Sequence, residues 1–465
     1  MRSTSSTRQG ENTRAAHLPQ PAVPQQIPVG APVWRTAAFA YAGAAEHAEL
    51  AAAGSAVGGA DPVDNPSALA FASGVAALDG ARLDGPATAE AFPSGAAAVT
   101  GVLLACATSG AHVVAPAAAH GPVRTVLTGL LARFGVETTF AEPSEMAAAM
   151  RPTTRLVWAE ALSEPDLAVP DLPRLAALAH ARGALLAVDA SRTTPVVCRP
   201  LEHGADLVVH DASGGLGGHG DASGGVVVGG AHVMAVIRRV RVETGASLGP
   251  DDAFLLRRGL ETLPLRVRRQ CDTASVFAAA LAKHPAVRSV GYPGLPQHPS
   301  HKLARRLFDA GPEGTRFGAV VTVTPHGGLA AGQALVDAVR LALVAGTDGG
   351  VRTAVAHAAT ELPGCDPAAV RFRIGLEDAA DLVRDVGRAL DTVARVTGRE
   401  TGGRAGPAAG RAGTDARRAG PAAGRAGTDA RRAGPVAGRA GIDAERAGTD
   451  AGRGAGPVPS VADSA

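Results

Sequence analysis

Three short apolar runs, each ending on an acidic residue, restrict this chain more than any other feature. LVWAE (156–160), LLAVD (185–189) and LVVHD (207–211) have the length and branched content of buried strands. LPRLAALAHARG (172–183) stands between the first two. Its Leu172, Leu175 and Leu178 fall near one helical face, and Gly183 suits a left-handed C-cap. Strand, helix, strand predicts parallel pairing, with helices on both faces of the sheet. Ligands of such sheets sit outside the C-terminal strand ends. Glu160, Asp189 and Asp211 fall at those ends and are the first candidates for a site. Asn65-Pro66 marks a helix start, Asn as N-cap and Pro in the first turn. Beyond Gly245 the pattern changes. GAVVTVTP (318–325) and RFRIGLE (371–377) read as strands, each followed by a helix, which predicts a smaller α+β domain.

At 465 residues the chain can hold two or three domains. Aromatic residues are only 3% of it, so its cores must be built from Ala, Val and Leu. A net charge of +2 gives no reason to expect nucleic acid or an acidic partner. Cys106, Cys198, Cys271 and Cys365 have no paired spacing, which fits a reduced, cytoplasmic setting. No run is long and apolar enough to span a membrane, and the N-terminus lacks a signal-peptide core. The tail carries Gly-Pro pairs at 406, 420 and 434, a repeat of 14 residues. Such Gly, Ala, Arg and Pro units have almost nothing to bury, so a stacked solenoid is disfavoured and disorder is expected. Arginine-mediated binding of a polyanion is the tail's alternative role, diluted by its aspartates. The organisation read here is a disordered leader (1–26), an arm (27–64), a large domain (65–245), an α+β domain (246–399) and the tail (400–465). Limited proteolysis is expected to trim both ends first and leave a stable core. Protection of the repeats would contradict that.

One stretch, VVHDASGGLGGHGDASGG (208–225), invites a functional reading. Gly215 to Gly220 match GxGxxG, but a dinucleotide site needs a helix next, and GGVVVGG reads as a strand. His210, Asp211, His219 and Asp221 match no standard metal spacing, and buried structural roles are the competing reading. Lys283 and Lys302 are the chain's lysines, and both lie outside the large domain.

Longer collinear segments carry a resemblance. GYPGLPQHPSHKLARR (291–306), LGPDDAFLLRRGLETLPLR (248–266), LLAVDASRTTPVVCRPLEHGADLVVH (185–210) and VRFRIGLEDAADLV (370–383) resemble, in order, segments of the cystathionine gamma-synthase and gamma-lyase family. The resemblance spans about residues 27 to 397. It implies an α/β fold, that of a fold-type-I pyridoxal-phosphate-dependent transferase. A mostly parallel sheet would carry helices on both faces, with a smaller C-terminal α+β domain. It also implies cysteine and methionine metabolism, an oligomer with a site at the subunit interface, and pyridoxal phosphate as cofactor.

The departures matter as much. The family's HSATKYLGGH is HDASGGLGGH here, which places Gly214 where the Schiff-base lysine stands and Gly215 at the next tyrosine. Glycine has no amine, so covalent attachment of the cofactor is not expected. The phosphate-binding serine becomes Asp211, the YSRxxNPT tyrosine and arginine become Ala60 and Pro62, and the asparagine of ETPSNP becomes Glu164. The ring-stacking aromatic corresponds to His120. By the same resemblance, Ser94, Gly95 and Ala96 match the phosphate turn, Asp189 the partner of the pyridinium nitrogen, and Ser213 the threonine before the lysine. Arg371 matches the arginine that clamps a substrate carboxylate. Asp189 and Arg371 read equally as retained structural partners. The leading expectation is a pseudoenzyme that pairs with itself or an active paralogue, or binds an amino-acid-like ligand. The alternatives are a carbon–sulfur lyase or synthase on cysteine- or homoserine-derived amino acids, or a lysine-independent activity using His120, Asp211 or His219.

Overall fold

Seven strands form the larger sheet: β1 (Ala87–Phe92), β2 (His112–Pro116), β3 (Glu137–Ala141), β4 (Thr154–Glu160), β5 (Leu185–Asp189), β6 (Leu207–Asp211) and β7 (Gly225–Gly230). Their spatial order is β1-β7-β6-β5-β4-β2-β3. β7 runs antiparallel to β1 and β6, and the remaining pairs are parallel. The computed structural model describes residues 28–52, 65–80, 86–119, 121–311, 314–346, 349–362 and 364–402. The leader, Ala60, Pro62, His120 and the repeats lie outside the described residues. All that is described belongs to one unit ending at Gly406.

The central strands are apolar throughout because both sheet faces are covered. Leu156, Trp158, Ala187, Leu207 and Val209 join the core on one face. Their neighbours Val157, Ala159, Leu186, Val188 and Val208 join the core on the other. This is the period of two that a strand imposes.

Helix α1 (Ala44–Ala52) lies in the arm, and α2 (Pro66–Asp79) opens the large domain. Asn65 caps α2, its side chain accepting from the Ser67 N–H at 2.8 Å. Helix α3 (Gly95–Cys106) follows β1, and α4 (Leu172–His180) joins β4 to β5. Leu172 and Leu175 of α4 are buried, Leu178 packs partly against the same core, and Gly183 takes φ +68°. Those features agree with the sequence expectation, as does the strand, rather than helix, after the glycine run.

The smaller sheet holds β8 (Val287–Gly291), β9 (Val320–Pro325), β10 (Leu343–Val344), β11 (Ala354–His357) and β12 (Val370–Arg373), in the order β10-β11-β12-β9-β8. Phe372 of β12 meets Phe277 edge-on at 5.2 Å in its core. RFRIGLE is a strand only as far as Arg373. There the backbone leaves the ladder, with the Glu377 carboxylate accepting from Thr353 N–H at 2.6 Å and from its hydroxyl at 2.7 Å. The last helix, α5 (Ala379–Gly402), runs two residues past the expected start of the tail at 400. Among the described residues no helix is long and apolar enough to cross a membrane.

Candidate functional site

The C-terminal ends of β4, β5 and β6 bring Glu160, Asp189 and Asp211 to one edge of the sheet, with Glu160 and Asp189 in register. With Gly95, Ala96, Ser191 and Arg192 they line a cavity of about 100 Å³. Each acid is fixed by short local bonds. Asp189 Oδ1 accepts from the Ser191 N–H at 2.8 Å. Ser191 Oγ accepts from the Asp211 N–H at 2.7 Å, tying β5 to β6. Asp211 Oδ1 accepts from the Ser213 N–H at 2.9 Å and so caps the turn over residues 212–216. Ser213 Oγ accepts from the Gly224 N–H at 3.4 Å.

The N-terminus of α3 points at the same place. Ser94 caps it, its hydroxyl accepting from the Ala97 N–H at 3.1 Å. Gly95 lies flat against Asp211: a methyl group added there would stand 2.8 Å from the Asp211 Cγ. A carboxylate therefore sits at a helix N-terminus, where the macrodipole favours negative charge.

Behind the cavity lies a network of buried charges. Arg192 Nη1 meets Glu160 at 3.3 Å and its Nη2 meets Glu164 at 2.9 Å. Glu164 also accepts from Arg371 Nη1 at 3.0 Å and lies 3.8 Å from Arg373. Arg371 is bonded in addition to Glu361. The Arg371 side chain is 2% exposed and that of Glu164 0%. Burial pushes the Glu160 carboxyl up to about 7, against the pull of Arg192 and with the help of Asp189 and Glu164.

The structure gathers part of the expected constellation. Gly95, Ala96 and Asp189 share the cavity, and Ser94 and Ser213 flank it. Of the five residues expected to share one cavity, Asp189 and Gly95 line it, while Gly214 and Arg371 are not among its lining residues. Gly214 is buried inside its turn, and Arg371 lies beyond Arg192 and Glu164. The guanidinium of Arg192, reaching from Glu160 to Glu164, lies between the cavity and Arg371. His120 is outside the described residues. Sequence reasoning missed Arg192, Arg373 and Glu361. Arg373 was legible, since residues two apart on a strand share a face with Arg371.

The glycine run has a structural use. Its turn seats Arg266, which donates to Gly215 O at 3.0 Å, Leu216 O at 2.9 Å and Gly259 O at 2.7 Å. Gly218 takes φ +78° where that guanidinium approaches. His219 Nδ1 lies 2.8 Å from Gly217 O. His210 is fully buried against Asp79 at 2.7 Å. Among the described residues no three potential ligands are grouped to hold a metal. Burial pushes the Cys106 and Cys271 thiols up to about 12 and raises Cys198 further, so none is a ready nucleophile.

A mostly parallel seven-stranded sheet, with its site at the strand ends and a separate smaller sheet domain, is the architecture of fold-type-I pyridoxal-phosphate-dependent transferases. The chain belongs to the Cys/Met metabolism PLP-dependent enzyme family, whose model matches residues 12–391. It is 36% identical over 305 residues to an L-methionine gamma-lyase of Porphyromonas gingivalis, covering 62% of this chain and 75% of that protein. It is 35% identical over 342 residues to an O-succinylhomoserine sulfhydrylase of Pseudomonas aeruginosa, covering 70% and 82%. The crystal structure of metB from Corynebacterium glutamicum superimposes with a TM-score of 0.73 at 30% identity, covering 83% of this chain and 99% of that one.

Proposed function

We propose that this chain keeps the family's scaffold without its covalent chemistry, acting as a pseudoenzyme. The observation that carries this is the Asp211 carboxylate seated on Gly95, at the turn that the resemblance assigns to the cofactor phosphate. A phosphate group brings about −1.5 to −2 charge at neutral pH. A carboxylate about 4 Å from it opposes binding by roughly 4 kcal/mol per unit charge at an intermediate dielectric. The cavity offers the single guanidinium of Arg192, which is already bonded to Glu160 and Glu164. No lysine occurs between residues 65 and 245, and Lys283 and Lys302 are exposed on the smaller domain. These residues do not fit pyridoxal phosphate, and no reaction step through it follows from them. The amino-acid-like ligand expected at Arg371 meets a guanidinium already held by two carboxylates.

The family builds its site at a subunit interface, so the reading extends to an oligomer of this chain with itself or with an active relative. The second reading, a carbon–sulfur lyase or synthase on cysteine- or homoserine-derived amino acids, draws support from the 36% identity to a methionine gamma-lyase. One experiment separates the two. Purified protein is titrated with pyridoxal phosphate, followed by visible absorbance, reduced with borohydride and mapped by mass spectrometry. The expected result is no imine band and no pyridoxyl group between residues 65 and 245. A trapped group there, or keto-acid release from L-methionine or cystathionine, overturns the proposal.

A further inference from the structure

We infer that a second cavity, between the two domains, binds a small organic anion: a carboxylate or phosphate group on a short apolar body. The inference goes beyond the reading above and holds whether or not pyridoxal phosphate binds. This cavity measures about 200 Å³, against about 100 Å³ at the strand ends, and the two share no lining residue. Its walls come from both domains. Leu78 lies near the end of α2, and Pro195 and Val196 lie in the short helix Thr194–Val197 of the large domain. Pro264 and Arg268 lie on the helix Leu263–Leu281 of the smaller one. Ligand pockets occur preferentially at such domain interfaces.

Three arginines, Arg199, Arg268 and Arg316, line the cavity beside those apolar side chains. Two of them are fixed by the protein. Arg199 donates to Pro195 O at 2.9 Å and through Nε to Glu202 at 2.6 Å. It also lies 3.3 Å from Asp309, the carboxylate that lines the same cavity. Arg316 is 8% exposed, with its Nε 3.3 Å from Asp272. Arg268 differs from both. It is exposed, and it makes no hydrogen bond or ion pair with another described residue. A guanidinium so placed can grip a carboxylate or phosphate through two parallel bonds. Leu78, Val196 and the two prolines offer an apolar surface that an inorganic anion would leave uncovered, so the ligand is organic.

The test is isothermal titration calorimetry on the full chain at constant ionic strength. Pentanoate and propyl phosphate are the probes, and pentylammonium is the control of opposite charge. The expected result is saturable binding of at least one anion and none of pentylammonium. Arg268→Met is expected to weaken that binding about tenfold, the effect of losing a charge-assisted donor. Ala77→Glu adds a carboxylate at an exposed lining position and is expected to weaken it as much. Both positions are exposed, so both variants keep the fold, which thermal unfolding checks. Arg239→Met removes an exposed arginine from the helix Ala231–Glu243 and is expected to change nothing. Tighter binding of pentanoate assigns a carboxylic acid and tighter binding of propyl phosphate a phosphate monoester, and either supports the site. No saturable binding, equal binding of pentylammonium, or binding that R268M and A77E leave unchanged overturns it. A pyridoxyl adduct trapped in wild type would end the non-catalytic reading and leave the calorimetric result standing.

Discussion

The Arg371→Met variant is expected to be about 3 kcal/mol less stable than wild type, at the low end of the 3–5 kcal/mol for breaking a buried ion pair. The low end follows from the geometry. Glu164 loses its 3.0 Å bond to Arg371 but keeps Arg192 at 2.9 Å, and Glu361 is 35% exposed and can hydrate. Methionine replaces most of the buried stem, so little of the loss comes from packing. Against a total stability of about 5–15 kcal/mol, such a loss is readily seen in urea unfolding. The Arg371–Glu164 contact also couples the two positions. In the E164Q background the same substitution removes a guanidinium that has already lost one of its two carboxylates, so it costs less, with an interaction energy of about 0.5–3 kcal/mol. Simple additivity of the two changes would show that Arg371 and Glu164 are neighbours without being partners.

The scaffold was legible because its signals are local and repeated. Apolar runs ending on acids, a helix of matching length between two of them, and Gly183 at a left-handed position each constrain the backbone. The strand ends then follow from topology, which is why Glu160, Asp189 and Asp211 were found at one edge. The charge network was not legible in the same way. Arg192 and Glu164 are 28 residues apart, and Glu164 and Arg371 are 207 apart. No local pattern states that a loop acid of the large domain meets a strand arginine of the smaller one. Resemblance pointed to Arg371 as a residue retained and to Glu164 as a departure, yet it left the two unconnected. The coordinates make them one feature, an acid gained where an arginine was kept. Asp211 at Gly95 has the same character. At both places a chain carboxylate stands where the resemblance puts an anion from solution.

The second large effect concerns His210, for which the sequence favoured a buried structural role, and Asp79, which the fold brings to it in a buried contact of 2.7 Å. Burial alone would lower the pKa of His210, but Asp79, and more weakly Asp189, outweigh it and raise the imidazole above its ordinary value. The folded state therefore holds a proton that the unfolded chain releases near about pH 6.5. The resulting stabilisation is complete below that pH and is lost as pH rises through the raised value. Glu160 acts in the same sense, since its folded value of about 7 exceeds its ordinary 4.5, so wild-type stability alone cannot assign the effect. The difference between wild type and Asp79→Asn can. Asparagine preserves the shape and a hydrogen bond to Nε2 but removes the charge, and His210 becomes neutral. A hydrogen bond to a charged group contributes about 1.5–3 kcal/mol. Asp79→Asn is therefore expected to lose that much at pH 6, and progressively less at higher pH, while Glu160 titrates in both proteins and cancels. Urea unfolding between pH 5.5 and about 9 measures the difference directly. A deficit that stays constant across that range would mean that His210 is neutral in the folded protein and that Asp79 holds it by packing and hydrogen bonding alone.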